Sequence, residues 1–286
     1  MSLFKKLLEP RIWRRIFYER LTEPLHLNVM SMFVAAFGSF PTKVAFDLIP
    51  RLPYAFGVLG AARRAREYGI TDISVIEFGV SSGAGLINMS VLAERAEDAT
   101  GVKIHVVGFD SGKGMPGPVD YRDHPDMYVR GDFPMDVERL RDKLPARTQL
   151  LLGDVTETAP TFLAALRGPI GFVALDLDYY SSTKAALRVF DGPCACYLPL
   201  VTLYVDDIYS DLHNSWCGEL LAISEFNADH ALRKIERFIL LDNARVFKHA
   251  NYLKHIFNLH VLDHPVRAHE DLHREKVVHS NPFLGE

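Results

Sequence analysis

Long apolar runs are missing from this chain of 286 residues. No stretch reaches the roughly 20 apolar residues that a membrane-crossing helix needs, so the pattern argues against one. The opening segment, MSLFKKLLEPRIWRRIFYERL, is basic and amphipathic. It lacks the continuous apolar core and small-residue cleavage site of a signal peptide. The expectation is a helical arm that packs on the core or on another subunit; lying on a membrane surface is the other reading. Cysteine is scarce, three in all. An odd count in a long chain argues against a disulfide framework and fits a reducing, cytoplasmic setting. Cys194-x-Cys196 has no second cysteine pair beside it, so no zinc site is expected. Excess positive charge is missing too: the formal net charge is −4, so the whole-chain footprint of a nucleic-acid binder is absent.

What the chain does have is an ordinary globular composition, 48% hydrophobic and 24% charged, and ample length for one large core. Its organising stretch is Ile73–Asn88. Ile73, Val75, Ile76 and Phe78 read as a parallel strand buried on both faces, with Glu77 near its carboxyl end. Gly79, Gly83 and Gly85 then allow a sharp turn and a close approach to a ligand. A helix opening there presents free N–H groups and its positive dipole end. The dinucleotide fingerprint G-x-G-x-x-G fails, because Asn88 stands where the third glycine belongs. The remaining pattern is an acid followed by spaced glycines, Glu77-x-Gly79 and then Gly83-x-Gly85. A tight βα turn without a ligand is the plainer reading.

Proline punctuates residues 1–65, which read as helical and irregular. Tyr54–Tyr68 is the helix leading into the first strand. Leu86–Ala99 is the first crossover helix and Lys103–Phe109 the second strand, closing on Asp110, where nucleotide-binding folds hold ribose hydroxyls. Residues Ser111–Pro134 are too long for a plain connection and read as a lid. Helices are expected at Val137–Leu144, Thr161–Leu166, Ser181–Phe190 (capped by Ser181 or Ser182) and Ser215–Asn227. Strands are expected at Gln149–Leu152, Gly171–Leu177 and Val201–Val205, and then at Phe238–Leu241 and Ala244–Asp263 as a hairpin. The tail from His264 is polar.

Four aspartates stand out, in ALDLDYYSS and LYVDDIY. Side chains alternate along a strand, so Asp176 and Asp178 share a face if the strand persists. If strands four and five are neighbours, Asp176, Asp206 and Asp207 converge. Carboxylates so crowded bind a proton, recruit a cation or hold a hard divalent metal, and oxygen-only ligands suit magnesium, calcium or manganese. Helix caps and strand ends are the plainer reading of each aspartate taken singly.

In order along the chain, EFGVSSGAG (77–85), VVGFDSGKGMP (106–116), GDFPMDVERL (131–140), LLGDVTETAP (151–160), LDLDYYSSTKAAL (175–187), VDDIY (205–209) and AISEF (222–226) together resemble the macrocin O-methyltransferase family. These are class I enzymes dependent on S-adenosylmethionine (SAM). The resemblance spans residues ~70–230. It implies an α/β Rossmann-like methyltransferase three-layer sandwich, with a mostly parallel seven-stranded sheet and a reversed last strand. Residues 1–65 would be an N-terminal helical extension serving the acceptor site or a dimer contact, 66–265 the SAM-binding domain, and 266–286 a polar tail. It implies that Glu77, Gly79 and Gly83 contact the methionine part of SAM, with Val80, Ser81, Ser82, Gly85 and Ser111 also in the cofactor site. Asp110 would take the ribose hydroxyls, and Asp154 with Val155 would flank the adenine. Asp176, also in reach of SAM, would hold magnesium together with Asp206 and Asp207, and the metal would bind the acceptor. A hydroxyl of a small molecule or sugar would be methylated, with Asp176, or else His213, taking its proton. Two other functions compete: an NAD(P)-dependent oxidoreductase, and a non-catalytic protein keeping the same fold.

Overall fold

The structure, a computed structural model, describes residues 15–209 and 212–268. The basic arm before residue 15 and the polar tail beyond residue 268 lie outside the described residues. The chain opens with a π-helical stretch, Arg15–Arg20, and then helices α1 (Leu25–Phe37), α2 (Phe40–Ala45) and α3 (Leu52–Glu67). From there strands and helices alternate: β1 (Asp72–Phe78), α4 (Ala84–Thr100), β2 (Lys103–Asp110), α5 (Val137–Lys143), β3 (Gln149–Leu152), α6 (Val155–Ala164), β4 (Ile170–Leu175), α7 (Tyr180–Leu187) and β5 (Tyr197–Val205). Helix α8 (Gly218–Asp229) and strands β6 (Arg233–Arg237) and β7 (Ile256–Val261) complete it.

The seven strands form one sheet in the order β3-β2-β1-β4-β5-β7-β6. Strands β1 to β5 pair in parallel, and β7 runs antiparallel to both β5 and β6. This is the class I methyltransferase arrangement, with its reversed last strand. The alternation of strand side chains divides the core into two layers. Ile73, Val75, Ile104, Val106, Phe172 and Ala174 pack with α3 and α4 on one face. Ile76, Phe78, Val107, Phe109, Val173, Leu175, Leu203 and Val205 pack with α6, α7 and α8 on the other. The result is a three-layer sandwich. Helix α3 lies close on the sheet: Ala55, Val58, Ala61, Ala62 and Ala65 are fully buried, and a Cβ on Gly57 would collide with the Phe172 ring.

Several local expectations are corrected. Phe238–Leu241 is not a strand; β6 lies earlier, at Arg233–Arg237, and of the expected Ala244–Asp263 strand only Ile256–Val261 forms, pairing with β6 over residues 257–261. Helix α6 begins at Val155, not Thr161, because Asp154 caps it by accepting from the Thr156 N–H at 2.8 Å; Pro160 is accommodated inside. The cap of α7 is neither Ser181 nor Ser182. Asp123, from the 111–134 segment, accepts from the Ser181 N–H at 2.8 Å and from its hydroxyl at 2.9 Å.

Candidate active site

The carboxyl ends of β1, β2, β4 and β5 open into one cleft of about 900 Å³. Crossover connections leave this edge of a parallel sheet open, so ligands of α/β folds bind there. Glu77, Gly79, Val80, Ser81, Ser82, Gly85, Asp110, Ser111, Asp154, Val155, Asp176, Asp206 and Asp207 all line it. Sequence had nominated every one of them. Gly83 supports the turn from behind as the left-handed N-cap of α4, with φ +81°.

The glycine turn is shaped by contact. A Cβ on Gly79, whose φ is +84°, would strike the Asp176 carbonyl oxygen, and one on Gly85 would strike Oε1 of Glu77. Ser81 occupies the left-handed region with φ +47°, a conformation that favours glycine and costs a side chain about 1 kcal/mol. The Ser81 N–H donates to Asp110 Oδ2 at 2.9 Å and the Gly112 N–H to Oδ1 at 2.7 Å. Two backbone donors thus fix the Asp110 carboxylate at the tip of β2.

Glu77 is buried. The Tyr54 hydroxyl donates to its Oε1 at 2.6 Å, while Oε2 is buried with no hydrogen-bond partner among the described residues. Burial pushes the carboxyl up to about 8, against the Tyr54 hydrogen bond. An acceptor so desolvated and half-satisfied is costly unless it holds a proton or meets a donor. Arg51, at the start of α3, lines the same cleft and carries positive charge toward Glu77 and Asp176. Its guanidinium carbon lies 5.5 Å from the Tyr54 ring centroid.

The acids of β4 and β5 do converge. The ladder runs one residue beyond each strand: the Asp176 N–H bonds the Phe78 carbonyl at 3.1 Å, and the Asp206 N–H bonds the Leu175 carbonyl at 3.0 Å. One carboxylate oxygen from each of Asp176, Asp206 and Asp207 then falls within 4.8 Å of the others. Burial first, and the charge of Asp206 second, push Asp176 up to about 7. Burial and the neighbouring Glu219 push Asp207 well above the usual range. Asp178 does not share the face of Asp176 as an extended strand would require. The strand ends at Leu175, Asp178 turns left-handed at φ +58°, and its N–H donates to Asp207 Oδ2 at 3.2 Å. His213 stands apart from the cleft lining, its ring edge-on to His124 at 5.4 Å; burial and His124 lower its pKa.

Four contributors were not anticipated from sequence. Tyr54 and Arg51 come from the N-terminal helices. Tyr128, in the 111–134 segment, lines the cleft and hydrogen-bonds Asp178. Glu219, fully buried at the start of α8, accepts from the Leu177 N–H at 3.2 Å and the Asp207 N–H at 3.1 Å, clamping both acidic loops. Only Glu219 left a trace: it sits on the apolar stripe with Ala222, Ile223 and Phe226, an unusual place for an acid. The 111–134 segment forms one wall of the cleft. It folds back on itself, with the Met115 N–H on the Asp132 carbonyl at 2.8 Å and the Gly131 N–H on the Met115 carbonyl at 3.0 Å. Among the described residues, no helix is long and apolar enough to cross a membrane.

No family model and no curated protein matches the chain. Solved structures do. CalS11, a calicheamicin methyltransferase, is 21% identical over 82% of this chain and 91% of its own, with a TM-score of 0.48. The O-methyltransferase NovP is 21% identical over 62% of this chain and 72% of its own, with a TM-score of 0.45. An O-methyltransferase from Bacillus cereus in complex with SAH is 14% identical over 77% of this chain and 80% of its own, with a TM-score of 0.35.

Proposed function

We propose that the chain is a SAM-dependent O-methyltransferase acting on a hydroxyl of a small molecule or sugar, with magnesium at the aspartate cluster. The observation that carries the reading is the buried Oε2 of Glu77, without a partner among the described residues, in a side chain that lines the glycine-turn cleft. An ammonium donor satisfies that oxygen, and the methionine end of SAM brings one. Arg51 is placed to meet the methionine carboxylate, so the zwitterion finds both partners on one wall. Asp110, held open by two N–H groups, accepts ribose hydroxyls, and Asp154 with Val155 flanks the adenine. A nicotinamide dinucleotide offers no ammonium for Glu77 and would need a pyrophosphate turn that Asn88 interrupts.

Asp176, Asp206 and Asp207 fit magnesium by their chemistry: hard oxygen donors, crowded, with burial opposing their charge. Bound magnesium supplies a Lewis acid that lowers an acceptor hydroxyl's pKa and fixes its position. Asp176, the member of the cluster whose carbonyl abuts Gly79 of the glycine turn, accepts the hydroxyl proton. Glu219 and Tyr128 hold the acidic loops, so the acceptor oxygen meets a pre-set geometry. His213 is the second-choice base. Residues 1–65, which supply Arg51 and Tyr54, shape the acceptor and cofactor sites or an oligomer contact. The test is calorimetric titration with SAM and NADH, each with and without magnesium. Micromolar SAM binding with indifference to NADH is expected. Absence of SAM binding in both conditions overturns the reading.

A further inference from the structure

A second cavity, of about 680 Å³, opens beside β6 and β7. Among the described residues, three fixed cations line it, Arg237, Lys248 and Lys254, against one lining carboxylate, Asp242; His249 also lines it, its Nδ1 3.4 Å from Oε1 of Glu23. This is a local excess of positive charge on a chain of net charge −4. The cavity is placed by topology at the same sheet edge as the aspartates. Strand β6 is parallel to β5, since both oppose β7, so Arg237 at its carboxyl end lies on the edge that carries Asp206. Lys254 lies two residues before β7, in the 3-10 turn Asn251–His255 that leads into that strand at the same edge. Two strand spacings separate β5 from β6, about 10 Å.

The wall between the two sites is continuous. The Tyr204 hydroxyl donates to Asp206 Oδ1. The Tyr204 and His255 rings lie 5.9 Å apart, and those of His255 and Tyr209 5.4 Å apart. Tyr209 hydrogen-bonds Lys254 and Arg237, and Lys254 Nζ lies 4.7 Å from its ring centroid. The loop presenting Lys248 and His249 is itself anchored. Buried Glu23 takes both their backbone N–H groups, that of His249 at 2.8 Å. Tyr18, Phe238 and Ile239 add an apolar side to the cavity.

We infer that this pocket binds a phosphate or diphosphate group carried by the acceptor, while the acceptor's hydroxyl lies at the aspartate cluster. The assignment rests on the methyltransferase reading for the hydroxyl end alone. Cations spaced around a pocket, two of them braced by Tyr209, suit an anion with several oxygens. Acids at one end and bases at the other also orient such an acceptor, since the reversed pose would set phosphate against the carboxylates.

The test is calorimetry with inorganic pyrophosphate, in EDTA so that no metal bridges it to the aspartates. The wild-type protein is compared with Arg237→Ala/Lys254→Ala and with a control pair, Lys103→Ala/Lys143→Ala, that removes equal charge elsewhere. Circular dichroism and SAM titration check that each variant folds. The expected result is saturable pyrophosphate binding, weakened about ten-fold or more in the pocket variant and unchanged in the control, with SAM affinity unchanged in both. No pyrophosphate binding, equal loss in both pairs, or no loss in the pocket pair overturns the inference. A wild-type protein that binds pyrophosphate at the pocket but never SAM overturns the methyltransferase reading and leaves an anion site without its acceptor.

Discussion

The Tyr54 hydroxyl reaches from α3 to Oε1 of Glu77 at 2.6 Å and leaves Oε2 buried and unpartnered. This pair ties the N-terminal helices to the cofactor wall, and burial, against the Tyr54 hydrogen bond, makes Glu77 a protonated carboxyl in the ligand-free protein at neutral pH, its pKa being about 8. The folded pKa is raised above the unfolded one. The contribution to stability is therefore complete below the unfolded value and is lost as pH rises through about 8. Glu77→Gln removes that share. Thermal unfolding of the ligand-free variant should decline less than wild type between pH 5 and pH 8.5, by about 5 kcal/mol at most. SAM affinity should fall about ten-fold or more, because a neutral amide no longer pairs with an ammonium. An unchanged pH profile would remove the protonated-carboxyl account.

Arg51 makes a separable prediction. If its guanidinium meets the methionine carboxylate, wild type should bind SAM about ten-fold or more tightly than decarboxylated SAM. Arg51→Ala should bind the two equally, with affinity for the decarboxylated compound little changed. A parallel loss for both compounds would mean that Arg51 only shapes the wall.

The parallel strands, the glycine turn and the aspartate convergence were legible in the sequence because each is local. Apolar β-branched runs end on marked acids, and neighbouring parallel strands bring those ends together. What was not legible depends on distant partners. Arg51 and Tyr54 gain meaning only once α3 packs across β1. The cap of α7 comes from Asp123, 58 residues earlier. Strand β6, RKIER, buries only Ile235 and Arg233 and has no apolar run to announce it. Pro160 reads as a break, yet α6 is already formed around it.

The aspartate cluster predicts a metal dependence confined to chemistry. Asp206→Ala should leave SAM affinity within about two-fold while methyl transfer falls about 100-fold or more. Magnesium titration followed by calorimetry should show binding to wild type and none to the variant. Full activity in Asp206→Ala, or in EDTA, would remove the metal from the reaction.

Glu219 touches none of the reacting groups and acts through the loops it holds. Its two oxygens take the N–H groups of Leu177 and Asp207, and burial keeps its own pKa well above the usual range. Glu219→Ala strands both donors in the interior, a loss of about 1–3 kcal/mol for each. Glu219→Gln keeps an acceptor for one N–H and sets an amide donor against the other, so its stability should lie between alanine and wild type. A purely structural role would lower the unfolding temperature and leave the magnesium affinity of the folded protein intact. A positioning role should also weaken magnesium about ten-fold, because Asp207 is freed from its place in the cluster, and should leave SAM binding unchanged. Measuring both affinities at a temperature where each variant is folded separates the two.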